Sequence, residues 1–122
     1  MFTNCPAGPG RLGVWRKVAL AVKVLIERRV KRGHEEIVWQ MLRDLRGQAV
    51  RQKGYLYGET WRSMDEPAVF MVSSTWGCRE YWDTWVNDEF RRRIENRIRP
   101  YLRREVTIRV FEEVSTFPDH GA

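Results

Sequence analysis

Apolar residues fall on alternate positions early in the chain. Between Ala19 and Val30 the even places hold Leu20, Val22, Val24 and Ile26, while the odd ones pass through Lys23, Glu27 and Arg29. A period of two sends one set of side chains to one face of a strand. Arg28 breaks the alternation by taking an even, inward place. Lys31-Arg32-Gly33 reads as a turn, and from His34 to Gln52 the period lengthens. Val38, Met41, Leu42, Leu45 and Ala49 make one helical stripe, with Glu35 and Glu36 in the first turn, where the helix dipole favours carboxylates. Gly54 ends that helix.

Tyr55–Arg62 alternates again, with Tyr55, Tyr57, Glu59 and Trp61 facing one way and Leu56, Gly58 and Thr60 the other. A loop from Ser63 to Pro67 lets the chain double back antiparallel into Ala68–Trp76. There Phe70, Val72, Ser74 and Trp76 share one face, and Val69, Met71 and Thr75 the other. Gly77 breaks the run. Tyr81, Trp82, Trp85 and Val86 then follow the spacing of one helical face. Asn87 or Asp88 can cap a further segment carrying Phe90, Ile94 and Ile98, with Arg91, Arg92, Arg93, Arg97 and Arg99 on its other faces and Pro100 at its end. Glu105–Val114 is the last strand.

The order strand, helix, strand, strand, helix, strand implies an α+β class, a ferredoxin-like βαββαβ sandwich. Two helices cover one face of a four-stranded sheet. The other still carries Leu25, Val69, Met71 and Phe111, with Tyr55, Tyr57 and Trp61 as further candidates. An apolar face of that size calls for a cover, so a homodimer packed sheet to sheet as a dimeric α+β barrel is expected. The domain is expected over residues 18–115, with an N-terminal extension at 1–17 and a tail at 116–122.

Composition adds limits. The 122 residues suffice for one core and not two. The formal charge of +6 is carried by 18 Arg and 4 Lys spread over the whole chain, which argues for solubility rather than for a nucleic-acid site. No run approaches the ~20 apolar residues of a membrane span. Val18–Ile26 is interrupted by Lys23 and has no small-residue cleavage site, so it does not read as a signal peptide. Cys5 and Cys78, one in a Pro/Gly-rich stretch and one at a helix start, are expected to stay separate, which fits a reducing cytoplasm.

Six tryptophans are unusual at this length. A tryptophan closing a strand, followed at once by an aromatic-faced helix, makes one wall of a cavity, although each ring taken singly also reads as core. Neither His34 nor His120 has a partner at metal-ligand spacing, so no metal site is expected.

Three runs carry a resemblance: VKVLIERRVKRG, KGYLYGETWRSMDEP and VSSTWGCREYWDTWVNDEF. Their order and spacing over about Ala21–Val114 resemble the antibiotic-biosynthesis-monooxygenase family of dimeric α+β barrels. That resemblance implies a small cytoplasmic homodimer that oxidises a planar phenolic or quinol compound without metal or organic cofactor. Its partners would be a small aromatic substrate and molecular oxygen, with no nucleic acid and no membrane. Trp76 matches the family's strand-three tryptophan and would be a wall, the resemblance making Arg28 and Trp76 the catalytic residues, while Tyr81, Trp82, Trp85 and Tyr57 would contact substrate. An inward guanidinium at 28 could hold a phenolate or carboxylate by charge-assisted hydrogen bonds. It could equally pair with an acid such as Glu95 or Glu59.

The haem-degrading branch of that family carries a strand-one asparagine and an iron-ligating histidine about a turn past Phe90. This chain has Arg28 and the stretch Arg91–Glu95 at those places, which speaks against haem. A non-catalytic small-molecule-binding or stress-response dimer is the other alternative. Lys53-Gly54-Tyr55-Leu56-Tyr57 partly resembles the signature of RNA-recognition motifs, but it lies on the second strand rather than the third and fails at Leu56 and Gly58.

Overall fold

The computed structural model describes residues 21–114. The proposed extension, the tail and the start of the first strand at Ala19 and Leu20 lie outside them. Eight elements follow in order: β1 (Val22–Arg29), α1 (Glu35–Ala49), β2 (Tyr55–Arg62), β3 (Val69–Trp76), α2 (Arg79–Val86), α3 (Glu89–Ile98), a 3₁₀ turn (Arg99–Tyr101) and β4 (Thr107–Glu112). The four strands form one sheet in the order β2-β3-β1-β4, antiparallel throughout, which is the ferredoxin-like arrangement.

Periodicity explains which side is dry. Val22, Val24, Ile26 and Arg28 of β1 are all buried, and their odd neighbours are exposed or half-buried. The α1 stripe of Val38, Met41, Leu42, Leu45 and Ala49 buries against that face together with Trp82 and Trp85 of α2 and Ile94 and Ile98 of α3. Asp88 caps α3, its carboxylate accepting from the backbone N–H of Phe90 at 2.8 Å and of Arg91 at 3.2 Å. That cap ends the short α2 and re-aims the chain, so the two segments present different residues to one core.

Two details depart from the alternation. In β2, Tyr55 pairs with Trp76 and Tyr57 with the adjacent Thr75, so Leu56 is an extra residue in a bulge. Tyr55 is thereby turned to the helix side while Tyr57, Glu59 and Trp61 stay on the open side. This corrects the expectation that Tyr55 and Tyr57 share a face. The second departure lies in α3, where Arg91 and Glu95 are buried with Ile94 and Ile98. Positions 91, 94, 95 and 98 form one face, so Arg91 belongs to the inner stripe and not to the outer one.

Cys78 precedes α2 and is disulfide-bonded, contrary to the expectation of two separate cysteines. Chain position alone does not tell whether two distant cysteines meet, and the cysteine argument for a reducing compartment falls with that expectation. No helix among the described residues is long and apolar enough to cross a membrane.

Candidate functional site

A cavity of about 50 Å³ lies between the sheet, α1 and the second helical region. Its floor is set by strand ends. Trp76, the last residue of β3, is 1% exposed. Its indole N–H donates to Ser74 Oγ at 3.0 Å, so the ring faces the cavity while its polar atom is satisfied within its own strand. Tyr55 meets the Trp76 ring edge-on at 5.3 Å between centroids, and Trp82 meets it at 5.9 Å, tilted by 62°. Trp85 also lines the space. Gly58 makes room for Tyr55, since a Cβ at 58 would run into the tyrosine hydroxyl. Burial raises the Tyr55 hydroxyl pKa above the ordinary value, with nearby Arg46 pulling the other way.

Charge enters from β1 and α3. Arg28 is 1% exposed and Arg91 5%, and both line the cavity. Each is paired with the same oxygen of Glu95: Arg28 through Nη2, and Arg91 through Nη2 at 3.0 Å. The Arg28–Glu95 pairing is one of the two outcomes anticipated for an inward arginine. Arg91 also lies over the Trp82 ring, 5.4 Å from its centroid. Desolvation lowers the Arg91 pKa from its usual value; Glu95 opposes that shift and Arg28 adds to it. Two buried guanidiniums thus share a single carboxylate. Among the described residues Arg28 Nε and Arg91 Nη2 have no hydrogen-bond partner, the latter being close to Glu95 without bonding geometry.

The structure therefore brings Arg28, Trp76, Trp82 and Trp85 together around one space. Tyr81 packs at the edge of the core, over Gly54 and Gly77, and is not a lining residue. Tyr57 stands on the open face, 54% exposed, donating to a Glu59 carboxylate that Trp61 Nε1 also reaches at 3.2 Å. Tyr57 keeps the open-face register it shares with Glu59 and Trp61, and the bulge at Leu56 is what parts it from the inward Tyr55. Tyr55, Ser74 and Arg91 belong to the site and were not singled out from sequence. Among the described residues no three histidine, cysteine, aspartate or glutamate side chains are grouped as metal ligands.

The family model described as antibiotic biosynthesis monooxygenase matches residues 21–97, from the residue before β1 to the last turn of α3. The chain belongs to that family. No curated protein matches it. Solved structures share the fold at low identity. A conserved protein from Methanosarcina mazei Go1 superimposes with a TM-score of 0.75 at 14% identity, over 82% of this chain and 99% of that one. A structure described as an antibiotic biosynthesis monooxygenase gives 0.72 at 20% identity, over 77% of this chain and 99% of that one. SnoaB from Streptomyces nogalater, a cofactor-independent oxygenase, gives 0.72 at 14%, over 83% of this chain and 100% of that one. In this member of the antibiotic biosynthesis monooxygenase family a pair of buried arginines lines the same cavity as the strand-end tryptophan.

Proposed function

We propose that this chain is a cofactor-independent, monooxygenase-like protein acting on a planar phenolic or quinol-type molecule, with molecular oxygen as co-substrate. Family membership supports the reaction class. The observation that carries the reading is the aromatic wall of Tyr55, Trp76 and Trp82 set against the buried Arg28. An electron-rich phenolate can pass an electron to oxygen directly, so the protein needs to desolvate it, orient it and stabilise its charge. For a phenol with an open ring position, one oxygen atom enters the ring and the other leaves as water. The product is a quinone, and the substrate supplies all four electrons. Trp76 and Trp82, in edge contact with each other, would pack against the ring from one side, and Arg28 would hold the oxyanion.

The cavity is small beside the several hundred Å³ typical of sites for whole ligands. Entry of a ring system would require lining side chains such as Tyr55 and Arg46 to move. The domain is taken as residues 18–115. A homodimer is part of the same proposal. Leu25, Met71, Tyr57, Trp61 and Phe111 share the open sheet face, and Tyr57 and Trp61 are each more than half exposed. Light scattering reading one chain per particle would remove it. A cytoplasmic setting completes the proposal, and alkylation of the protein taken directly from cells tests it through the redox state of Cys78.

Oxygen uptake with a panel of naphthols, anthrols and hydroquinones, repeated with a chelator present, tests the activity. Substrate-dependent uptake that survives the chelator and is lost in Trp76→Phe and Arg28→Gln supports the reading. Absence of uptake across the panel, or uptake unchanged in both variants, overturns it.

A further inference from the structure

The charges around the cavity do not cancel. Arg28, Arg46 and Arg91 contribute three positive charges to its lining, against Glu59 in the lining and Glu95 behind it. Arg46 is exposed and Glu59 half-buried, and Glu59 is engaged on the open face by Tyr57 and Trp61. The inner group is then two guanidiniums to one carboxylate, one net positive charge at residues that are 1%, 5% and 9% exposed. Buried charges are ordinarily paired, because leaving one unpaired costs several kcal/mol. Arg28 Nε, without a hydrogen-bond partner among the described residues, and Arg91 Nη2, ion-paired with Glu95 but without hydrogen-bond geometry, belong to the same two side chains that line the cavity.

We propose that Arg28 and Arg91, with Glu95 shared between them, form a receptor for one singly charged oxygen group carried on an aromatic ring, a carboxylate or a phenolate. The inference deepens the monooxygenase-like reading, from which it takes only the aromatic part of the ligand. A single anion brings the inner group to neutrality, whereas a neutral hydroxyl does not. Planar guanidinium donors suit two-oxygen carboxylates as well as a phenolate oxygen. Trp76, Trp82 and Trp85 line the same cavity, so the attached ring would meet indole surface beside the guanidiniums. Glu95 sets the valence of the receptor: with one carboxylate between two arginines it takes one negative charge, and without that carboxylate it would take two.

The test uses the full chain and two pairs of probes. Benzoate is compared with benzamide by thermal shift and calorimetry. 4-Nitrophenol is compared with 4-nitroanisole, the phenolate being read by its own visible band. Each anion is expected to bind at least tenfold more tightly than its neutral counterpart, and bound 4-nitrophenol is expected to ionise at a pH about one unit lower than when free, the same tenfold factor. Binding by benzoate alone or nitrophenolate alone assigns the source of the anion within the same receptor. Arg91→Met is expected to lose the anion preference. Glu95→Gln is expected to strengthen anion binding and to gain more thermal stability from benzoate than the wild type does. Equal binding of anion and neutral partner by the wild type overturns the proposal without any variant. So does an anion preference that Arg91→Met retains. Oxygen uptake measured in the same samples separates the two readings. Anion preference without uptake keeps the receptor and removes the oxygenase, and uptake with no anion preference does the reverse.

Discussion

Removing either partner of an ordinary buried ion pair should cost about the same, but the shared carboxylate predicts a marked asymmetry here. In Glu95→Gln the two guanidiniums, at 1% and 5% exposure, lose the one counter-charge they have among the described residues and repel each other. Stripping one partner from a buried pair typically costs ~3–5 kcal/mol. That is a large part of the ~5–15 kcal/mol that holds a small domain together. At ~4 °C per kcal/mol the melting temperature should fall by roughly 12–20 °C. In Arg91→Met the remaining Arg28–Glu95 pair is balanced. The variant gives up a cation–π contact with Trp82, worth ~0.5–2 kcal/mol, and the attraction to Glu95. It also gains relief from Arg28 repulsion and from the desolvation that already lowers the Arg91 pKa. The expected net change is within about 1 kcal/mol, by the same reasoning that makes apolar replacement of buried charges close to neutral. Calorimetry or urea denaturation of the two variants beside the wild type decides it, in a buffer without carboxylate anions. Equal destabilisation of both, or a larger loss in Arg91→Met, would refute the one-carboxylate, two-arginine account.

Gly54 and Gly33 make a matched pair: φ is +87° and +89°, but a Cβ at 54 would strike Tyr81 while one at 33 meets open space. Gly33→Ala should therefore cost only the ~1–2 kcal/mol of left-handed backbone, and Gly54→Ala clearly more, read as urea midpoints. Ser74→Ala leaves the buried Trp76 N–H without its acceptor and should cost ~1–3 kcal/mol, with a blue-shifted or altered Trp emission as a second readout. Above pH ~10 the stability should decline. The Tyr55 pKa is raised in the folded state, so the unfolded chain ionises first, and the contribution is fully present below the unfolded value and lost as pH rises through the folded one. Absorbance at ~295 nm should show a late-ionising tyrosine fraction that shrinks in Tyr55→Phe. Tyr57→Phe should remove another late fraction, whose shift comes first from the hydrogen bond to Glu59.

The frame of the fold was readable because period two and period 3.6 were each kept over long runs. The β2 and α2 boundaries agree with the alternation and the aromatic spacing, and the inner stripe of α1 agrees residue for residue. Arg28 was legible as an inward charge since a strand offers only two faces, and Glu95 was among its anticipated partners. Arg91 was hidden by its own charge. Placed with the other arginines of α3 it looked solvated, although its spacing to Ile94 and Ile98 puts it on the inner stripe. Tyr55 was hidden for a different reason. A bulge depends on how two strands hydrogen-bond, and nothing within YLYGETWR marks where the extra residue falls. Ser74 escaped notice because its role is to serve the Trp76 N–H, a bond between side chains two positions apart on one face.

Strand β2 lies at a border of the sheet, with one row of its backbone groups unpaired by any other strand described. Such a border, if straight and apolar, invites further chains to add on without limit. Leu56 interrupts its straightness, and the Gly58-Glu59 step puts a carboxylate in the middle of the strand. The irregularity that turns Tyr55 inward therefore also guards the molecule against end-to-end fibre growth, so straightening the strand by deleting Leu56 should be felt first as loss of solubility.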